Sequence, residues 1–380
     1  MQYKDFQGLS LSRLGMGNMR LPASAPRGPI DTDKAEELID YVYHQGINYF
    51  DTAYFYHEGQ SESFLGHALS RYPRDSYFLA DKMPASPLKS EGKTPAEIFE
   101  GQLAKCRTDH FDFYLLHNVC EDSIPVFTDE TLGVIPYLLE QKKAGRIRHL
   151  GLSSHSRPDT LRAFLSRYDF FEFIQIQLNY LDWDMQDAKQ QYEIVTNYGV
   201  PVWVMEPCRG GRLASLTPEA DAILKAADPD HSIASWAFRY VMGLPNVGVV
   251  LSGMTQMDQA EDNVKTFSAG SLLTDAQQDA LQKALSLFRS QVNVPCTGCH
   301  YCDGCPMELD IPAVLSLYNR FALNKSPMIH MDMAELAHGP SECIGCGACV
   351  SKCPQNIEIP KVMSEFTEEL SKIPKPQTNP

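Results

Sequence analysis

An α/β architecture, a closed (β/α)8 barrel followed by a small, mostly helical, cysteine-rich domain, is what this sequence predicts. Three observations carry it. From about residue 10 to residue 266, short β-rich runs alternate with helix-length amphipathic segments. No G-x-G-x-x-G follows the first β-run, which counts against an open, doubly wound sheet. Eight of the chain's 11 cysteines fall in two tight runs between residues 296 and 353.

Met1–Ser12 reads as a hairpin outside the barrel, with Gly8 in its turn. An opening strand around Leu14–Met16 is followed by β-rich runs at Asn48–Thr52, Ser76–Ala80, Phe111–Leu116, His149–Ser153, Phe171–Ile176, Pro201–Met205 and Asn246–Leu251. Helix-length segments between them include Thr32–His44, Pro95–Arg107, Glu130–Ala144, Pro158–Tyr168 and Ala188–Tyr198. Asp31 and Thr94 suit helix N-caps, because a short side-chain oxygen can accept an orphan backbone N–H. Eight strand–helix units of this kind close into a TIM-type barrel, whose active groups sit at the C-terminal strand ends. The predicted organisation is a barrel over 1–272, a connecting helix over 273–292 (its amphipathic core Thr274–Arg289), a cysteine domain over 293–366 and a loose tail over 367–380. Helical text at Pro312–Ala322 and Met331–His338 separates the two cysteine runs. The prolines after Ile373 leave that end little to bury.

The first run is Cys296-Thr-Gly-Cys299-His-Tyr-Cys302-Asp-Gly-Cys305-Pro; the second is Cys343-Ile-Gly-Cys346-Gly-Ala-Cys349-Val-Ser-Lys-Cys353-Pro. The second has the bacterial ferredoxin spacing C-x2-C-x2-C-x3-C-P, and the first closes with x2 instead of x3. Three thiolates at that spacing wrap one iron–sulfur cube while the fourth serves a neighbouring cluster. Zinc also uses C-x2-C pairs, but a four-ligand site leaves the third evenly spaced cysteine unexplained. A secreted disulfide scaffold would spread its cysteines, whereas residues 1–295 hold only Cys106, Cys120 and Cys208. Two [4Fe–4S] clusters are expected. Exchange in the ferredoxin manner gives one to Cys296, Cys299, Cys302 and Cys353 and the other to Cys343, Cys346, Cys349 and Cys305.

A formal net charge of −15 argues against nucleic acid or an anionic membrane as partner. The first residues lack a signal-peptide pattern and no apolar run is long enough to span a bilayer, so a cytoplasmic protein is expected.

The strand ends carry polar residues where burial would otherwise favour apolar ones: Asp51 and Tyr56, Lys82, His117, Ser153 and Ser154, Gln175 with Asn179, and Glu206 after Met205. Burying Asp51, Lys82 and His117 costs several kcal/mol each unless they pair. Singly, each has a structural reading; their convergence is the functional signal. A phenol titrates near pKa ~10, and a lysine cation close to Tyr56 is expected to lower it.

Asp51-x4-Tyr56, a lysine ending the next strand and Leu-Leu-His117 ending the one after resemble the catalytic tetrad of the aldo-keto reductases. The likeness covers roughly residues 10–266; with the twin cysteine runs, the whole chain resembles the iron–sulfur-containing branch of that family. The resemblance implies Tyr56 as proton donor, Lys82 and Asp51 as its electrostatic partners, His117 on the substrate oxygen, and a nicotinamide as hydride source. It further implies Ser153, Ser154 and Gln175 on the carboxamide, with Met205 where an aromatic ring is often stacked. At the adenosine end it implies Gly253, Gln259, Asp262 and Asn263. Ser154 replaces the usual asparagine, and Gly253 and Gln259 replace the usual cations of a 2′-phosphate site, so both NADP and NAD are open, with Arg209, Arg212 and Lys265 as compensating cations.

The expected function is NAD(P)(H)-dependent interconversion of a carbonyl (aldehyde, ketone or sugar) and an alcohol, with the clusters serving electron transfer or docking. A ferredoxin or another redox protein is then the second partner beside the small-molecule substrate. Direct coupling needs a two-to-one electron converter such as a flavin, for which the sequence shows no dedicated motif. The competing account is an idle barrel serving as an electron carrier or accessory redox subunit.

Overall fold

The computed structural model of the chain describes residues 1–23, 28–289, 294–324 and 329–373. It comprises two compact units: Met1–Cys208 with Ala234–Leu273, and Arg209–Ile233 with the chain from Thr274 onward. The segment 209–233, expected within the barrel, therefore groups with the C-terminal unit.

In the first unit, strands β1 (Tyr3–Phe6) and β2 (Leu9–Ser12) form the expected hairpin. Gln7 and Gly8 turn it with φ of 53° and 85°, the left-handed pair that matches strand twist. Eight parallel strands follow: β3 (Leu14–Gly17), β4 (Tyr49–Asp51), β5 (Phe78–Met83), β6 (Phe111–Val119), β7 (Ile147–Ser154), β8 (Phe173–Gln177), β9 (Val202–Met205) and β10 (Val247–Ser252). Each pairs with its predecessor and β10 returns to β3, closing the barrel. Two strands run further than their apolar text: β5 includes Lys82, laddered opposite Leu115, and β6 reaches past His117. Both side chains are thus held by sheet rather than by loop.

The helices Thr32–His44 and Ala188–Tyr198 match expectation, and Pro95–Cys106 and Pro158–Arg167 each stop one residue early. Asp31 accepts from the Lys34 N–H, and Thr94 forms a reciprocal capping box with Glu97. The helix expected from Glu130 begins only at Val134. The Asp129 carboxylate captures the N–H groups of Thr131 and Leu132, a local turn that outcompetes the helix.

Inside the barrel, Tyr49, Ala80, Phe113, Leu115, Phe173, Trp203, Val249 and Leu251 pack together with Phe6 and Leu11 of the hairpin. The hairpin is therefore not merely outside the barrel: Phe6 plugs its N-terminal end, with ring centroids 5.7 Å from Phe113 and 5.2 Å from Trp203. Gly151 makes room for this layer, since a Cβ there would stand 2.6 Å from the Phe173 ring. Gly151→Ala is expected to lower stability by about 1–3 kcal/mol through overpacking, measurable as an earlier denaturant midpoint.

The second unit is helical: Pro218–Ala227, Asp275–Arg289, Ile311–Asn324, Ile329–Ala334 and Ile359–Ser371. The helix read at Met331–His338 lies earlier and is shorter. The tail expected from 367 is helical to Ser371, because Ile359, Met363 and Phe366 form a buried stripe; Phe366 packs 4.8 Å from Tyr318 and 5.9 Å from Phe321. The ends of the expected connector (290–292) and tail (374–380) lie outside the described residues. Among the described residues, no helix is long and apolar enough to cross a membrane.

Candidate active site and iron–sulfur centre

Strand periodicity places the polar set. Residues two apart share a face, so Asp51 follows inward-facing Tyr49, Lys82 follows Ala80, His117 follows Leu115 and Gln175 follows Phe173. The fully buried Lys82 ammonium donates to Asp51 Oδ1 at 2.6 Å, to the Thr52 carbonyl at 2.7 Å and to the Tyr56 hydroxyl at 3.4 Å. It also lies 4.8 Å from the Tyr56 ring centre, and His117 meets that ring edge-on at 6.0 Å. Tyr56 is half-buried in a short turn tied down where the Leu21 N–H donates to His57 Nε2 at 2.9 Å. The Lys82 main chain is clamped from behind, its N–H by Asp81 and its carbonyl by Gln102.

Burial raises the Tyr56 phenol well above its ordinary value, and the carboxylates of Asp51, Glu206 and Asp81 push the same way, with Arg20 opposing. This reverses the expected lowering by Lys82. The lysine charge is already compensated by Asp51 at 2.6 Å, so burial and the remaining carboxylates prevail. His117 is shifted well below the usual histidine range by burial, then by Lys82 and His155. Near neutrality the site therefore presents a protonated phenol and a neutral imidazole.

The residues assigned to the nicotinamide divide. Gln175 Oε1 is buried without a hydrogen-bond partner, and its amide nitrogen lies 3.5 Å from the Met205 sulfur. Ser153 Oγ accepts from the Asn118 N–H at 2.9 Å, leaving its proton free to donate. Ser154 points elsewhere, bonded to Ser156 Oγ at 2.8 Å and to the Val119 carbonyl. Gln259 caps its own loop by accepting from Thr255, and Asn263 donates to Ser252. Asp262 lies near the Cys208 thiol. The stem of Arg20 covers Gly253, where a Cβ would sit 3.1 Å from it, and its guanidinium pairs with Glu206 at 3.8 Å. Asn179 is structural: its side chain holds the N–H groups of Leu181 and Asp182 and donates to the Glu206 carbonyl.

Sequence reasoning passed over Asn18, Arg20 and Asn118. Asn18 donates to the Asp51 carbonyl, and its own Oδ1 is buried without a partner. Asn118 sits at φ 57° with Oδ1 likewise buried and unpartnered. Asparagine tolerates that backbone region, the one signal that could have marked Asn118. Two unpartnered amide oxygens, of Gln175 and Asn118, fit the NH2 of a carboxamide, and the Ser153 hydroxyl fits its oxygen.

In the second unit Cys296, Cys302, Cys305, Cys343, Cys349 and Cys353 pack against the small helical core. The Cys302 thiol is pushed up by burial and by the nearby thiols of Cys299, Cys296 and Cys353. Cys349 is pushed up by burial and then by Cys343, Cys346 and Cys305. Each group of neighbours thus draws its fourth member from the other run. Lys352 of the second run donates to the Asp303 carbonyl of the first, and the Gly298 N–H points at Cys296 Sγ, 3.4 Å away. Among the described residues, no three His, Cys, Asp or Glu side chains are grouped as a single-ion site would need.

A closed β/α barrel with an ion-paired lysine beside a tyrosine at its mouth, joined to a cysteine-rich helical unit, defines an oxidoreductase with iron–sulfur chemistry attached. The chain belongs to the aldo/keto reductase family, whose model matches residues 13–286, and residues 295–358 match a 4Fe-4S dicluster domain. It is 27% identical over 304 residues to the uncharacterized oxidoreductase YqkF of Bacillus subtilis, covering 72% of this chain and 92% of that one. It is 24% identical to the NADH-specific methylglyoxal reductase of Escherichia coli, covering 72% and 95%. The match to a probable aldo-keto reductase of Glycine max is 31% identical but spans only 45% of that protein. Among solved structures, the holo form of aldo-keto reductase AKR11C1 from Bacillus halodurans superposes with a TM-score of 0.60 at 28% identity, covering 75% of this chain and 95% of that one.

Proposed function

We propose that the barrel interconverts a small aldehyde, ketone or sugar carbonyl and its alcohol, with Tyr56 as the proton donor. The observation that carries this reading is the Lys82 ammonium shared between Asp51 Oδ1, the Thr52 carbonyl and the Tyr56 hydroxyl. A nicotinamide, when bound, supplies the hydride. Gln175, Asn118 and Ser153 would hold its carboxamide. Tyr56, kept protonated by its surroundings, gives its proton to the carbonyl oxygen as negative charge develops there. Lys82 then stabilises the phenolate left behind, while Asp51 keeps the lysine aimed. His117, neutral, hydrogen-bonds the same oxygen and fixes which face of the carbonyl is presented.

NADH is the proposed partner. Arg209 and Arg212 are hydrogen-bonded within the second unit, to Gln355 and to the Val294 and Cys296 carbonyls. Gly253 and Gln259 offer no cation for a 2′-phosphate, and charge-assisted bonds are the strong ones there. In an anaerobic carbonyl panel, kcat/KM with NADH is expected to exceed that with NADPH by on the order of tenfold or more. Oxidation of neither nucleotide by any carbonyl would overturn the reading.

The crossed thiol groups support two [4Fe–4S] clusters, held by Cys296, Cys299, Cys302 and Cys353 and by Cys343, Cys346, Cys349 and Cys305. They would pass single electrons to a ferredoxin-like partner in a reducing, cytoplasmic setting. The intact Lys82–Asp51–Tyr56 contacts favour a working barrel over an idle one.

A further inference from the structure

We propose that Glu62 and Lys105 are positioning residues for the proton-transfer step: with Gln102 they form one bridge behind the site, which holds the Lys82 strand end and the Tyr56 turn at a fixed separation. This rests on the reductase reading above.

The bridge starts where two helices touch. Ser61–Leu69 crosses Pro95–Cys106 at Gly66, where a Cβ would stand 2.6 Å from the Cys106 carbonyl carbon, so a bare backbone is needed. That approach brings Glu62 of the first helix against Gln102 and Lys105 of the second. Glu62 is fully buried; its Oε1 accepts from Gln102 Nε2 at 3.0 Å and its Oε2 from Lys105 Nζ at 2.7 Å. The same Gln102 amide donates to the Lys82 carbonyl at 2.9 Å, and the Tyr114 hydroxyl donates to Gln102 Oε1, which fixes the amide's orientation. At its other end, the Lys105 ammonium lies 5.0 Å from the centre of the Tyr54 ring, two residues before Tyr56. Ser61, next to Glu62, adds a second tie. Its hydroxyl donates to the Asn18 carbonyl at 3.1 Å and accepts from Thr52 at 2.9 Å, and the Thr52 carbonyl receives the Lys82 ammonium.

A buried carboxylate is costly, and a buried ion pair can often be exchanged for apolar side chains with no loss of stability. Stability alone therefore does not account for Glu62. What the pair supplies is direction, because it joins the backbone of Lys82 to the ring beside Tyr56. The Lys82 ammonium stands 3.4 Å from the Tyr56 hydroxyl. That is the long end of the hydrogen-bond range, so a small shift of either end removes the contact.

The test is steady-state carbonyl reduction by the anaerobically purified full chain, with whichever of NADH and NADPH the wild type uses, and a melting temperature for every variant. Glu62→Gln and Lys105→Met are each expected to lower kcat by about 10- to 100-fold, the scale of a misplacement of about 1 Å, with KM for the nucleotide unchanged. Lys105 is partly exposed and carries the test should Glu62→Gln fail to fold. The double variant should lose no more than the weaker single variant, since both changes break one bridge. Lys105→Arg keeps a cation for Glu62 and for the Tyr54 ring and should recover most of the turnover. A lowered melting temperature with kcat unchanged would assign a purely structural role and overturn the proposal. So would single losses that multiply in the double variant, or a loss in Lys105→Arg equal to that in Lys105→Met. Absence of turnover in the wild-type protein would instead sink the reductase reading, and this inference with it.

Discussion

Tyr56→Phe should reduce carbonyl turnover by about 10²–10⁴-fold, the range for losing a positioned general acid. The variant keeps the ring that packs over Lys82 and against His117, so nucleotide binding should be unchanged and the loss should appear in kcat. The raised Tyr56 phenol also dictates a pH dependence. In the reductive direction the donor must be protonated. Because its pKa lies above the ordinary ~10, and His117 charges only below the ordinary ~6.5, kcat should stay flat between those limits. In the oxidative direction the phenolate is the base, so alcohol turnover should climb throughout that window. Reductive kcat that fell between pH 7 and 9 would place the phenol below its ordinary value and contradict this account.

Cys305→Ala is the second large effect. If the ligands are crossed, removing this last cysteine of the first run depletes the cluster of the second run, leaving about half of the iron and sulfide. Cys353→Ala should do the converse. The surviving cluster can be identified by adding Cys299→Ala: the remaining iron should be lost in the Cys305→Ala background and kept in the Cys353→Ala background. The opposite pattern would mean that each run ligates its own cluster.

The barrel was legible because its strands are written as apolar runs at regular spacing, and the grouping of Lys82 with Asp51 and Tyr56 because ionisable residues break those runs at a fixed place. The ferredoxin-like spacing suggested an exchange between the runs, and the thiols that neighbour Cys302 and Cys349 are grouped in that way. What escaped depends on tertiary circumstance. Asn18 acts by clamping the Asp51 carbonyl, which leaves no pattern in a linear text, and Asn118 acts through an unusual backbone angle that only its residue type could hint at. Arg20 reaches Glu206 from a loop whose course the sequence does not set. The direction of the Tyr56 shift was misjudged for a related reason. The sequence names a lysine neighbour, but not how completely Asp51 neutralises it or which other carboxylates gather round. The Ile359–Ser371 helix was readable from its apolar stripe and was obscured by the prolines that follow it.

The hairpin that corks the barrel has a consequence for biogenesis. Phe6 leaves the ribosome early, yet the rings that receive it, Phe113, Phe173 and Trp203, are translated long afterwards. A two-stranded ribbon is at best marginally stable alone, so the nascent hairpin must wait with its apolar face wet until nearly the whole cylinder exists. Closure is thereby a late, non-local event of the kind that slows folding, and the hairpin becomes the natural place for a chaperone to hold the unfinished chain.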